Sequence, residues 1–207
     1  MSSARESVTV LDDDVLVLRA LDRLLQSAGY AVETYSSAGE FLRRCAFDAP
    51  GCIVMDLSLP LMSGLDLQHA LAMVSDARPL VFISGHGTVP SSVEAMKAGA
   101  VDFLTKPVDG EKLLAAVRAA LAKDHAAREQ RSEQASVTAR LCTLTPRERE
   151  VLAGVVAGKL NKQIAAELGT AEKTIKVHRA RMMRKMEVGS LAELVRAWTV
   201  TQPPLAA

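Results

Sequence analysis

The sequence predicts an α/β doubly wound five-stranded parallel sheet, joined by a helical linker to an all-α helix-turn-helix domain. Two observations carry the first half of that expectation. Strand-length apolar runs alternate with helical patterns five times within about 120 residues, and runs such as CIVMD read as buried strands. A third observation carries the second half: after a charged, Ala-rich stretch without Gly or Pro, only short helical patterns remain. The expected boundaries are 1–121 for the sheet domain, 122–140 for the linker and 141–207 for the helical domain.

SVTVL (7–11) is a short strand. VLRALDRLLQSAG (17–29) brings Leu18, Leu21, Leu24 and Leu25 to helical spacing, with Gly29 as its stop. YAVETY and AGEFLRRC repeat the strand and helix pair. GCIVMD is the third strand and GLDLQHALAMV its helix. PLVFIS is the fourth, with VPSSVEAMKAGA behind it, and VDFLTKP the fifth, followed by DGEKLLAAVRAALA. Residues 122–143 read as an exposed continuation of that last helix, with apolar spacing too poor for a coiled coil. TPREREVLAGVVAG opens the rear domain with Thr145 as N-cap, Pro146 at the first helical position and Glu148 at capping-box spacing. NKQIAAELG is a short helix ended by Gly169, and TAEKTIKVHRARMMRKM and SLAELVRAWTV follow. The close succession of the second and third of these helices resembles a helix-turn-helix. TQPPLAA reads as a frayed tail.

With 49% hydrophobic residues and a formal charge of +1, the chain holds enough apolar material for a core. Its charge is unevenly placed. Residues 1–121 carry 15 acidic and 10 basic side chains, net −5, whereas residues 122–207 carry 9 acidic and 15 basic, net +6. A basic rear half points to nucleic acid. Cys45, Cys52 and Cys142 lack both even number and ligand spacing, which argues against structural disulfides and a zinc site and fits a reducing compartment. MSSARES leads into a strand that ends in aspartates and is no signal peptide, and no apolar run approaches the roughly 20 residues of a membrane helix. These absences predict a cytoplasmic protein.

The chemistry lies at the strand ends. Asp12 and Asp13 end the first strand, Asp56 the third and Ser84 the fourth, and Lys106 follows the fifth. In a doubly wound parallel sheet these ends can be neighbours at one edge, where functional groups gather. Three crowded carboxylates repel unless a cation joins them, and an all-oxygen set suits a hard divalent ion such as magnesium. The lysine adds a donor for a phosphoryl group. The chemistry this points to is phosphoryl transfer onto an aspartate. Asp14 reads as an exposed cap, and His86, with no nucleophile in its stretch, as surface loop.

Residues 6–122 closely resemble the receiver domain of bacterial two-component response regulators, through VTVLDDD, DLSLPLMSG, ISGHG and DFLTKP. The resemblance implies Asp56 as phospho-acceptor and Asp12 and Asp13 as the acidic pair that organises magnesium. It ranks Asp13 ahead of Asp12 as direct ligand and adds the backbone carbonyl of Ser58. It also places the switch hydroxyl on Ser84, the phosphoryl-contacting lysine on Lys106 before a cis Pro107, and the switch aromatic on Phe103. A plain core role is the rival reading for Phe103.

In EKTIKVHRARMMRKM, Ile175, Met182 and Met186 share one helical face, with His178 between them as a packing residue rather than a metal ligand. Lys173, Lys176, Arg179, Arg181, Arg184 and Lys185 put six basic groups and no acidic one between 173 and 185. A charge run is ordinarily a solvated face. Six like charges on one short helix repel, however, so an anionic partner accounts for them better. As the second helix of its pair, it would enter the DNA major groove. Residues 141–200 resemble the LuxR or NarL type of DNA-binding domain, through LTPREREVL, NKQIAAELG, TIKVH and RKM. That resemblance implies Lys176, Val177 and Ala180 as base-facing, Arg179 and Arg181 in reach of bases or phosphates, and Lys162, Lys173 and Lys185 on phosphates. Thr174 and Arg184 complete the expected DNA-binding set. Ala180 stands where relatives often carry a long polar residue, which weakens direct readout there. The helix around LAELVRAW is the expected dimer contact, with Trp198 equally a core residue.

A receiver joined to this output domain resembles the FixJ/NarL type of response regulator. The type implies phosphorylation of Asp56 by a partner sensor histidine kinase, with Ser84 and Phe103 moving in response. Homodimerisation through the surface of helix four and strand five would follow, then binding to a promoter in double-stranded DNA. The transcription machinery is a further partner to consider, and a membrane is not. The expectation is a regulator, not an enzyme. The rival is a phosphorelay or protein-binding receiver without regulated DNA binding, which needs no basic helix.

Overall fold

The computed structural model describes residues 6–74, 76–85 and 89–201. His86, and the expected tail beyond Thr201, lie outside the described residues. Five strands form one parallel sheet in the order β2-β1-β3-β4-β5: β1 (Ser7–Leu11), β2 (Ala31–Tyr35), β3 (Cys52–Asp56), β4 (Leu80–Ser84) and β5 (Asp102–Thr105). α1 (Val15–Ser27), α2 (Ala38–Arg44), α3 (Gly64–Met73), α4 (Val89–Lys97) and α5 (Gly110–Cys142) follow the strands in turn. This is the doubly wound sheet that the alternation predicts.

Side-chain alternation along the central strands covers both faces. Val8, Val10, Cys52, Val54, Val81 and Ile83 enter one apolar layer with Leu18, Leu21 and Leu25 of α1 and Leu113, Val117 and Leu121 of α5. Their strand neighbours Leu11, Ile53, Met55, Leu80 and Phe82 enter the other, with Phe41 of α2, Leu67 and Leu71 of α3 and Ala95 of α4. Strands buried on both sides have no polar alternation, which is why CIVMD and LVFIS read as unbroken runs. Parallel registers pair Leu11 with Met55, Asp56 with Ile83 and Ser84 with Thr105. The C-terminal strand ends therefore finish level, at one rim. Asp14 caps α1, its carboxylate accepting from Leu16 N at 2.8 Å.

α5 runs unbroken through the stretch expected as a linker, and packing divides the chain within it, into Met1–Ala127 and Arg128–Ala207. The second unit holds α6 (Pro146–Val156), α7 (Asn161–Glu167), α8 (Glu172–Lys185) and α9 (Leu191–Val200). Its core includes Val137, Val151, Leu152, Ile164, Ile175, Met182, Met186 and Leu194. The capping box at Thr145 and Glu148 forms, with Thr145 N donating to Glu148 Oε2 at 2.9 Å. Gly154 lets α6 lie against α7, since a Cβ there would stand 2.8 Å from Ile164 Cγ1. Among the described residues no helix is long and apolar enough to cross a membrane.

Candidate functional site

Chain direction carries the acidic groups to the rim. β1 ends at Leu11, so Asp12 and Asp13 emerge just beyond it, and Asp56 is the last residue of the neighbouring β3. Asp12 is fully buried, Asp56 is 5% exposed and Asp13 faces solvent. One carboxylate oxygen from each lies within 4.8 Å of the others. The turn that follows each strand also binds its carboxylate: Asp12 Oδ1 accepts from Asp14 N at 2.9 Å, and Asp56 Oδ1 accepts from Ser58 N at 2.9 Å.

Lys106 completes the cluster. Its backbone N donates to Ser84 O at 2.8 Å, and the following peptide, to Pro107, is cis. Its Nζ stands 2.7 Å from both Asp12 Oδ2 and Asp56 Oδ2. The better-aligned hydrogen bond is the one to Asp56, and the buried Asp12 Oδ2 is held chiefly by its ion pair with the same ammonium. Burial pushes the Asp12 carboxyl upward from its ordinary pKa, and Lys106 only partly offsets this. Burial alone would lower the Lys106 ammonium, but its bonds to Asp12 and Asp56 prevail and raise it, so it is charged at neutral pH. Three carboxylates facing one ammonium leave a negative, all-oxygen recess, and these donors fit a hard divalent cation.

The structure thus gathers Asp12, Asp13, Asp56 and Lys106. Ser58 is placed with its N–H on the Asp56 carboxylate. Ser84 is fully buried at the end of β4, beside the site. Phe103 is half-buried, its ring centroid 6.4 Å from that of Phe82. One residue carried no role in the sequence reading beyond closing its motif. Gly64 opens α3 where a Cβ would stand 2.6 Å from the Asp56 carbonyl oxygen and 2.9 Å from Phe82 Cε1. Any side chain there would displace the strand end that carries Asp56. The signal was in the sequence, as a glycine at the first helical position after the loop that follows Asp56.

On the second unit, α8 is amphipathic. Ile175, Met182 and Met186 are fully buried, whereas Lys173, Thr174, Lys176, Val177, Ala180, Arg181 and Arg184 are exposed, and Lys162 on α7 is exposed as well. Two of the expected basic groups are engaged inside the protein. Arg179 Nη1 donates to Asn161 Oδ1 of α7 at 3.1 Å. Lys185 Nζ donates to Glu148 Oε2 at 2.7 Å and to Thr143 O at 3.0 Å. Lys176 pairs with Glu172 at 3.1 Å, but both side chains are exposed and the pair is weak. His178 is half-buried with its Nδ1 enclosed, as a packing residue would be.

Glu148 is covered by its partners, at 3% exposure. Bonds from Lys185 and from Thr145 N hold its carboxyl down at about 2, from an ordinary 4.5. A depressed carboxyl contributes stability in full above its unfolded pKa and loses it as pH falls through the folded value. The second unit should therefore lose about 1–2 kcal/mol from this group between pH 4.5 and 2, the half-exposed lysine discounting the full charge-assisted value. Urea unfolding followed by Trp198, the sole tryptophan, should show that slope in the wild type and a flatter one in E148Q. Equal slopes would remove Glu148 as the source.

Comparison with known proteins bears on both units. Residues 8–118 match the family model described as the response regulator receiver domain, and residues 142–198 that of the bacterial regulatory proteins of the luxR family. The chain is 46% identical over 196 residues to the response regulator protein TodT of Pseudomonas putida, covering 95% of this chain and 86% of that protein. It is 39% identical over 189 residues to the transcriptional regulatory protein FixJ of Bradyrhizobium diazoefficiens, covering 91% and 92%. Among solved structures, the response regulator StyR superposes with a TM-score of 0.85 at 44% identity, covering 95% of this chain and 99% of that one.

Proposed function

Since the chain belongs to the two-component response regulators of the FixJ/NarL type, we propose that Asp56 accepts a phosphoryl group from a partner histidine kinase and that α8 reads DNA. As a member of this family it is a phosphorylation-dependent transcription regulator, a signal-transduction protein rather than an enzyme. The observation that carries the assignment of Asp56 is the bond from Lys106 Nζ at 2.7 Å, made to the carboxylate that ends a central strand.

In the transfer, a carboxylate oxygen of Asp56 bonds to phosphorus as the phosphorus–nitrogen bond of the phosphohistidine breaks, its electron pair remaining on the imidazole. Lys106 neutralises a phosphoryl oxygen, having a charged head already at the acceptor. Asp12 and Asp13 would hold the divalent cation, with the Ser58 carbonyl as a further ligand. Magnesium, when bound, supplies additional charge against the phosphoryl oxygens. Ser84, buried at the end of the neighbouring strand, is the hydroxyl we assign to the new group. Its movement, with Phe103 turning inward, would repack the face of α4 and β5 for homodimerisation. Two recognition helices would then meet paired half-sites on promoter DNA, with Lys176, Val177 and Ala180 toward bases and Lys173, Arg181, Arg184 and Lys162 near phosphates.

Acetyl phosphate with magnesium should add one labile acyl phosphate to the wild type and none to D56A by intact mass. Undiminished modification of D56A would overturn the assignment. The rival relay reading leaves the exposed basic face of α8 unexplained.

A further inference from the structure

The last turns of α5 belong to the packing of the second unit. Val137 is 1% exposed and shares a core with Ile175, Met182 and Met186 of α8, and Leu141, one helical turn on, packs against it. Arg140 lies on the same side of the helix. Its Nη1 donates to the backbone carbonyl of Met186 at 2.9 Å and stands 3.6 Å from Glu187 Oε2. Met186 is the C-cap of α8, and Glu187 beyond it has φ +56, so the helix ends there. Carbonyls at a helix C-terminus lack intrahelical donors and carry the negative end of the helix dipole, which favours a guanidinium on both counts. Arg140 Nε is enclosed without a hydrogen-bond partner among the described residues. The arginine is therefore part of the core's wall, three-quarters covered, with Nη1 committed to the end of α8.

The geometry points to Arg140 as a positioning residue for DNA recognition. From α5, before the residues 142–198 matched to the luxR family, it ties down the C-terminal end of α8 and so sets the pose of that helix on its core. This rests on the reading of α8 as the recognition helix. Without the tie, Ile175 and Met182 still bury the helix, but its far end is free to tilt. Groups that must meet base edges need placement to a fraction of an ångström, so Lys176 and Val177 would lose register although neither has changed.

The test uses the full chain and two duplexes, one selected by the wild type from a random-sequence pool and one with the same bases scrambled. R140Q and R140M lose the reach to Met186, whereas R140K keeps a donor. All are compared at a temperature where circular dichroism and Trp198 fluorescence show them folded, and R140Q decides if R140M does not fold. We expect R140Q to lower the ratio of selected to scrambled affinity about tenfold, the scale of one charge-assisted hydrogen bond. The salt slope should be unchanged and R140K should recover part of the ratio. An unchanged ratio in folded R140Q overturns the proposal. So does an equal loss on both duplexes with the salt slope reduced by about one unit, which marks a phosphate contact. K176A separates the two readings: an intact ratio there, beside a lowered one in R140Q, rejects the assigned base contact and leaves the anchor standing.

Discussion

Lys106→Met should tighten magnesium binding about tenfold while slowing phosphoryl transfer from acetyl phosphate at least about 100-fold. The opposite signs follow from one position. Lys106 Nζ is 2.7 Å from both Asp12 Oδ2 and Asp56 Oδ2, so it already neutralises part of the recess that a divalent cation would enter. Removing it leaves three carboxylates within 4.8 Å of one another with no cation of their own, and the metal then meets less competition. The phosphoryl group, by contrast, loses the donor standing at the acceptor oxygen. Calorimetric titration with magnesium and a time course of intact mass measure the two effects on the same protein. A parallel loss of both would mean that Lys106 serves mainly to hold the carboxylates in place, and the electrostatic account would fail.

The rim was legible in the sequence because parallel topology needs little long-range information. Whatever follows a strand appears at the same edge as whatever follows its neighbours, so Asp12, Asp56, Ser84 and Lys106 could be placed by counting from apolar runs. Which atoms meet was not legible. That Lys106 bridges Asp12 and Asp56 while Asp13 faces solvent depends on the turn at Asp14, whose N–H draws back Asp12 Oδ1. The constraint at Gly64 is likewise tertiary, because it comes from the Asp56 carbonyl 2.6 Å from where a Cβ would stand.

In the second unit the helical period identified the buried stripe of α8 correctly, at Ile175, Met182 and Met186. It did not separate the basic residues by partner. Arg179 and Lys185 lie at the margins of that stripe, within reach of Asn161 on α7 and of Glu148 on α6, which only the packing of three helices brings near. Arg140 was hidden for a different reason: it lies in the stretch read as linker, where a charged side chain looks solvated.

This division of the basic groups sets an expectation for K176A and K185A that a charge count would not. Lys176 is exposed on an early turn of α8, and its ion pair to Glu172 is a weak exposed one. K176A should cost roughly 1–3 kcal/mol on the selected site and relax the preference at one position. Lys185 sits at the far end of the helix, bound to Glu148 at 2.7 Å and to Thr143 O at 3.0 Å. K185A would leave a covered carboxylate without its cation, so the loss should fall on stability, by about 1–2 kcal/mol in urea unfolding. The ratio of selected to scrambled affinity and the salt slope should both stay near wild type in K185A. The sequence reading had Lys185 on a phosphate, which predicts instead a salt slope lower by about one unit and an equal fall on both duplexes. If K185A shows that slope with its stability intact, Lys185 contacts the DNA backbone and its pair with Glu148 contributes nothing measurable to folding.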